Sequence, residues 1–181
     1  MAVREKNFVP DKIYFITFST FRWQKLFTIK ERYSLIFKWF DYQKENYGNL
    51  VHGFVIMPDH FHGLIYISKN SPPISKLIQN AKRFLAYEIV TSLKNESNHD
   101  ILNVLAKNAQ VKKGAKHKVF SERYDSKLIE DAKMFWKKLD YIHNNPCKGS
   151  RPLSPSPEGY LLSSASNYLL NRGIYEVQLI Y

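Results

Sequence analysis

The segment NLVHGFVIMPDHFHGLIYI, residues 49–67, constrains the fold more than any other part of the chain. Two apolar runs flank Pro58 and Asp59. Proline cannot donate to a strand ladder, and the Pro-Asp pair suits a tight turn. The segment therefore reads as an antiparallel hairpin. Side chains at i and i+2 of a strand share a face, so His60 and His62 project together while Phe61 points the other way. Such a pair is either two matched metal ligands or two polar residues on a wet sheet face.

The flanking segments supply the remaining elements. Residues 12–23, KIYFITFSTFRW, alternate Ile13, Phe15 and Thr17 against Tyr14, Ile16 and Phe18, the pattern of a strand. Residues 29–47 set Ile29, Tyr33, Ile36, Phe37 and Phe40 at helical spacing, with Gly48 as the stop. After the hairpin, Ser75 is placed to cap a long helix that buries Leu77, Ile78, Ala81, Phe84, Leu85 and Ile89. A helix over 99–109, a basic loop to 118, a strand or extended stretch at VFSERYDSKLI and a helix in EDAKMFWKKLDYIHNN, ended by Pro146, follow in turn. Beyond a proline- and serine-rich loop, a short helix and a last strand are expected. No internal repeat is visible.

This order matches the split βαβ plan: an α+β fold, ferredoxin-like or RRM-like, with an antiparallel sheet, helices on one face and the other face free for a ligand. The His pair then lies on a central strand. With 181 residues, 44% hydrophobic and 15% aromatic, the chain suits one globular domain, with a core over about 10–150 and a tail over 151–181. The lone Cys147 forms no internal disulfide, the start MAVREKNFVPDK lacks an apolar leader region, and no run is long enough to span a membrane. A cytoplasmic location is expected. The 27 Lys and Arg outnumber 16 Asp and Glu, and the net +11 favours a polyanionic partner, most simply nucleic acid.

MPDHFH resembles the His-hydrophobic-His signature of the HUH single-tyrosine nucleases, and KLDYIHNNP resembles the tyrosine helix of the REP-associated tyrosine transposases. YFITFST, KRFLAYEI and SSASNYL are similar to further stretches of that family, in family order from about residue 12 to 170. The resemblance implies an HUH nuclease-type fold and a metal-dependent single-stranded DNA endonuclease and strand transferase that mobilises DNA. Tyr141 takes the place of the nucleophile, and His60, His62 and Asn145 take the places of the ligands to Mg²⁺ or Mn²⁺. Asn145 stands four residues past Tyr141, where the family has an amide, and a helix would stack the two on one face. The implied product is a 5′-phosphotyrosine with a free 3′-OH.

The implied partner is single-stranded or hairpin DNA resembling REP elements, bound by a monomer or a homodimer. Arg22, Lys82, Arg83, Lys112, Lys113, Lys116, Arg123 and Lys148 are candidate DNA contacts, joined by Lys118, Lys137 and Lys138. Taken singly, each residue has a plainer explanation: paired strand histidines are often only hydrogen-bonded, and a helical tyrosine usually packs. A catalytically silent, domesticated hairpin-binding module on the same fold is the alternative. His143, on another side of the helix, reads as structural or DNA-facing, His52 as structural, Cys147 as packing, and Asp59 as a carboxylate that could tune His60 or add a metal contact.

Overall fold

The computed structural model describes residues 8–109 and 116–180. Four antiparallel strands form one sheet in the order β2-β3-β1-β4: β1 Lys12–Thr20, β2 Leu50–Ile56, β3 His60–Ile67 and β4 Phe120–Leu128. The five α-helices among the described residues are α1 Ser34–Tyr47, α2 Ile74–Asn95, α3 His99–Lys107, α4 Ala132–His143 and α5 Ala165–Leu170. This is the α+β, ferredoxin-like arrangement expected, with β3 in the interior of the sheet.

Alternation along the strands divides the side chains between two cores. Tyr14, Ile16, Phe18, Phe54, Ile56, Phe61 and Ile65 face α1 and α2 and pack on Trp39, Phe40, Leu77 and Leu85. Rings dominate here, with Phe18, Phe40, Phe54 and Phe61 at most 1% exposed, each contributing about 1.5–3 kcal/mol by burial. Gly48 ends α1 in the left-handed conformation (φ 71°), as its position predicts. The turn Met57-Pro58-Asp59 closes the β2–β3 hairpin through a Met57 N–H to His60 carbonyl bond.

Helix α4 lies on the opposite face, so that face is half covered rather than free. Its Phe135, Leu139 and Ile142 pack against Phe15, Val55, Met57 and Leu64. Close approach is possible because β2 carries Gly53 there: a Cβ at that position would sit 2.4 Å from Leu139 Cδ1. Asp131 caps α4, accepting from the Met134 N–H at 2.6 Å.

Several local expectations shift. The first strand stops at Thr20, and Phe21–Trp23 form a 3-10 turn. Helix α2 starts at Ile74 behind Pro73, whose fixed φ prepares the helical entry, so Ser75 lies inside the helix rather than capping it. Phe84 is 38% exposed because α1 leaves a groove beside it. The expected last strand does not form. Instead the tail follows the β2 edge, with Val55–Ser163 as an isolated bridge and Gln178 N–H bonded to the Val51 carbonyl. Leu162 and Val177 enter the core, so the tail is part of the packed body.

Candidate functional site

One row of side chains across the sheet sets the site. Val55 of β2, His62 of β3, Thr17 of β1 and Asp125 of β4 are register partners, so they share the face on which α4 lies. His60 pairs with Ser19 one step along. The imidazoles of His60 and His62 stand with ring centres 5.0 Å apart. Two imidazoles sharing one ion about 2.1 Å from each nitrogen would place their ring centres roughly 4.5–5 Å apart.

Each ring is held through one nitrogen. His60 Nδ1 lies 2.6 Å from Asp59 Oδ1, and His62 Nδ1 lies 2.6 Å from Thr17 Oγ1. With Nδ1–H donated to the carboxylate and to the hydroxyl, both rings keep their lone pair on Nε2, the tautomer a metal ligand needs. Burial, then the neighbouring His60 and Lys138, depress the His62 pKa to about 3, so this ring is neutral at physiological pH. Asp59 thus holds His60 through Nδ1. Among the described residues no third His, Cys, Asp or Glu gathers with the pair to form a metal-binding group.

Tyr141 comes to this pair from the last turn of α4. Its ring is 5.3 Å from His62 and edge-on to it, and Phe15 stacks beneath the same imidazole at 5.5 Å. Tyr141 remains 38% exposed, while its neighbours Leu139 and Ile142 are buried. Two ammonium groups lie over its ring: Lys138 Nζ at 5.6 Å from the centre and Lys148 Nζ at 4.9 Å. Lys138, also 4.3 Å over Phe15, has its pKa lowered by burial and by Lys127 and Lys137.

These groups open into one groove of about 810 Å³ that runs from Tyr141 across the His pair to Trp23, Lys118, Ser121 and Arg123. Asn145 lies outside that lining. Helix α4 ends at His143, and Asn145 is half-buried at the start of the short 3-10 turn that Pro146 imposes, so it does not stack with Tyr141 on one helix face as expected.

The basic candidates separate. Arg123 and Lys118 line the groove, Lys148 covers Tyr141, and Arg22 is exposed with its guanidinium over Phe21. Lys82 is committed to structure, since its ammonium donates to the Ser121 and Arg123 carbonyls of β4 at 3.0 Å each. Arg83 lies between α1 and α2, in a separate groove with Trp39, Tyr42 and Tyr87. Lys116 and Lys137 are exposed, and Lys112 and Lys113 lie outside the described residues. His143 Nε2 pairs with Ser164 Oγ at 2.9 Å and His52 Nδ1 with the Gln178 carbonyl at 2.7 Å, both structural roles. Sequence reasoning missed Thr17, Trp23 and Asp125. The strand alternation could have flagged Thr17, because with Ser19 it turns an apolar face of β1, Ile13 and Phe15, polar at the two places that pair with His62 and His60.

The sequence matches no family model and no curated protein. Among solved structures, the REP-associated tyrosine transposase bound to a REP hairpin superposes with a TM-score of 0.67 at 16% identity, over 97% of this chain and 89% of that one. This chain has the fold of a REP-associated tyrosine transposase. A candidate transposase from Deinococcus radiodurans R1 covers 78% of this chain and 95% of its own at 16% identity, with a TM-score of 0.48, and adds nothing to the fold assignment. In the transposase-like fold seen here, the strand histidines and the late-helix tyrosine meet in an open groove, and no helix among the described residues is long and apolar enough to cross a membrane.

Proposed function

We propose that the chain is a metal-dependent single-stranded DNA endonuclease and strand transferase of the REP-associated tyrosine transposase type, acting on hairpin DNA through a phosphotyrosine intermediate. One observation carries this reading. The exposed phenol of Tyr141 and two imidazoles each held through Nδ1, contributed by a helix and a strand about eighty residues apart in the chain, converge in one groove.

The donor set fits a divalent ion: two imidazoles each held through Nδ1, His62 neutral, with a ring separation of 5.0 Å. Mg²⁺ or Mn²⁺ held by His60 and His62, with the Asn145 amide reaching in from its turn, would supply Lewis-acid polarisation of the scissile phosphate. Tyr141 does the covalent work. Its oxygen forms the new bond to phosphorus, the bond from phosphorus to the 3′ oxygen breaks, and the 3′ oxygen gains a proton as the phenol gives one up. Because one phosphodiester replaces another, reversal onto a second 3′-OH joins strands without a nucleotide cofactor. Lys138 and Lys148, whose ammonium groups lie over the Tyr141 ring, would offset the negative charge developing in the reaction, and Asp59 and Thr17 hold the imidazoles.

The test uses fluorescent hairpin oligonucleotides with single-stranded flanks, drawn from repeats near the gene, in Mn²⁺. The wild-type chain is expected to become covalently attached to the cleaved strand, and Tyr141→Phe to give no adduct. An adduct that survives Tyr141→Phe refutes the assigned nucleophile. Hairpin binding without cleavage by the wild-type chain would favour the silent module.

A further inference from the structure

Trp23 has no part in the chemistry above, yet it is held beside it with unusual care. The indole is 61% exposed, lines the same groove, and meets His60 edge-on at 5.7 Å between ring centres. Burial does not explain a large aromatic in this position. Both Arg22 (φ 52°) and Trp23 (φ 56°) are left-handed, a conformation that costs residues with a Cβ of order 1 kcal/mol or more each.

The turn persists because its surroundings over-determine it. The Thr20 N–H and hydroxyl both bond the Asp59 carbonyl, at 2.8 and 3.0 Å, and the hydroxyl also reaches the Gln24 carbonyl at 2.7 Å. Phe21 N–H bonds the Val119 carbonyl, Phe27 N–H bonds the Pro58 carbonyl, and Leu26 and Phe27 are fully buried behind it. The indole is thus tied to the hairpin turn that carries His60. Around it lie cations: Lys118 Nζ and the Arg22 guanidinium lie over the Phe21 ring at 4.9 and 5.4 Å, and Arg123 lines the groove beyond. Acidic neighbours are Glu122, which pairs with Lys118 at 3.4 Å, Asp125 in the same groove, and Asp59 on the His60 ring.

We infer that Trp23 is a nucleobase platform, on which an unpaired base of the single-stranded substrate stacks beside the phosphate held at the His pair. A fixed, exposed π-face flanked by cations is the arrangement that binds unpaired bases with little regard to sequence. The inference rests on the nuclease reading for the identity of the strand but not for its measurement. Stacking fixes the position of the backbone next to the metal site, so Trp23 is a positioning residue.

The test is metal-free binding of an oligothymidylate of about ten nucleotides and of an abasic oligomer of the same length. The wild-type chain, Trp23→Phe and Trp23→Leu are compared, with circular dichroism confirming the fold. Trp23→Leu is expected to lose about tenfold or more in affinity for the thymidylate and nothing for the abasic strand, while Trp23→Phe retains most of the affinity. Quenching of indole fluorescence by the thymidylate should disappear in Trp23→Leu, although Trp39 and Trp136 remain. Equal affinities of wild type and Trp23→Leu for the thymidylate, or an equal loss on both strands, overturns the platform. Failure to cleave hairpins with base-dependent binding intact would sink the nuclease and leave the platform standing.

Discussion

Replacing Thr17 by Val removes one oxygen and nearly nothing else, since Val has similar volume and favours strands. That oxygen is the partner of His62 Nδ1 at 2.6 Å, and His62 is only 6% exposed, so water does not readily replace it. Two consequences follow. An unpaired buried N–H costs about 1–3 kcal/mol of stability. The imidazole is also freed to place its proton on Nε2, which removes the lone pair a metal needs, and loss of such a supporting bond weakens metal affinity by about 10–100-fold. That range corresponds to about 1.4–2.7 kcal/mol in binding free energy. Calorimetric titration with Mn²⁺ reads the affinity, chemical denaturation reads the stability, and Thr17→Ser, which keeps the hydroxyl, is expected to restore both. Unchanged Mn²⁺ affinity in a folded Thr17→Val protein would refute the tautomer assignment and with it the role of this face of the sheet.

Gly53→Ala is expected to lift α4, because the new Cβ would meet Leu139 Cδ1 at 2.4 Å. Stability should fall by about 1–3 kcal/mol and strand cleavage by about a hundredfold through misplacement of Tyr141, with Leu139→Ala in the same chain recovering part of both. Lys138→Met, which keeps the aliphatic stem over Phe15 while removing the charge over Tyr141, should slow cleavage about tenfold or more with hairpin affinity changed much less, as measured by single-turnover kinetics. Burial lowers the pKa values of His62 to about 3 and His143 to about 4, below the unfolded value of about 6.5. Between those values the unfolded chain binds more protons. Stability is therefore full above about pH 6.5 and falls as the solution is acidified toward pH 4, and His143→Gln should flatten part of that slope in urea titrations.

What the sequence discloses follows from how local each signal is. The hairpin, the shared face of His60 and His62 and the helix around Tyr141 are legible because period-two and period-3.6 patterns, Pro58 and Pro146 act within a few residues. The meeting of the tyrosine helix with the sheet is not local. It depends on Gly53 opening space for Leu139, and only the family resemblance suggested it. The Thr17–His62 bond joins residues 45 apart in sequence, and a threonine in a strand looks the same with or without such a partner. Lys82 resembles any exposed lysine until β4 brings two carbonyls to it. Left-handed backbone is signalled by glycine or asparagine, so Arg22-Trp23 gave no warning of the turn that presents the indole. The tail misled for a related reason. Tyr160 and Tyr168 donate to the carbonyls of Ile56 and His52, more than a hundred residues away, and those contacts take the place of a strand that its own pattern suggested.

The central claim is that a strand pair of imidazoles and a late-helix phenol form one reactive centre. Mass spectrometry of a tryptic digest, after reaction with a hairpin substrate, tests it most directly. In Mn²⁺ the peptide from Leu139 to Lys148, which holds Tyr141, should carry the mass of the 5′-phosphorylated DNA fragment, and the adduct should be absent in chelator or in His62→Ala. DNA attached to a different tyrosine, or attached to Tyr141 just as fully in chelator and in His62→Ala, would contradict the account.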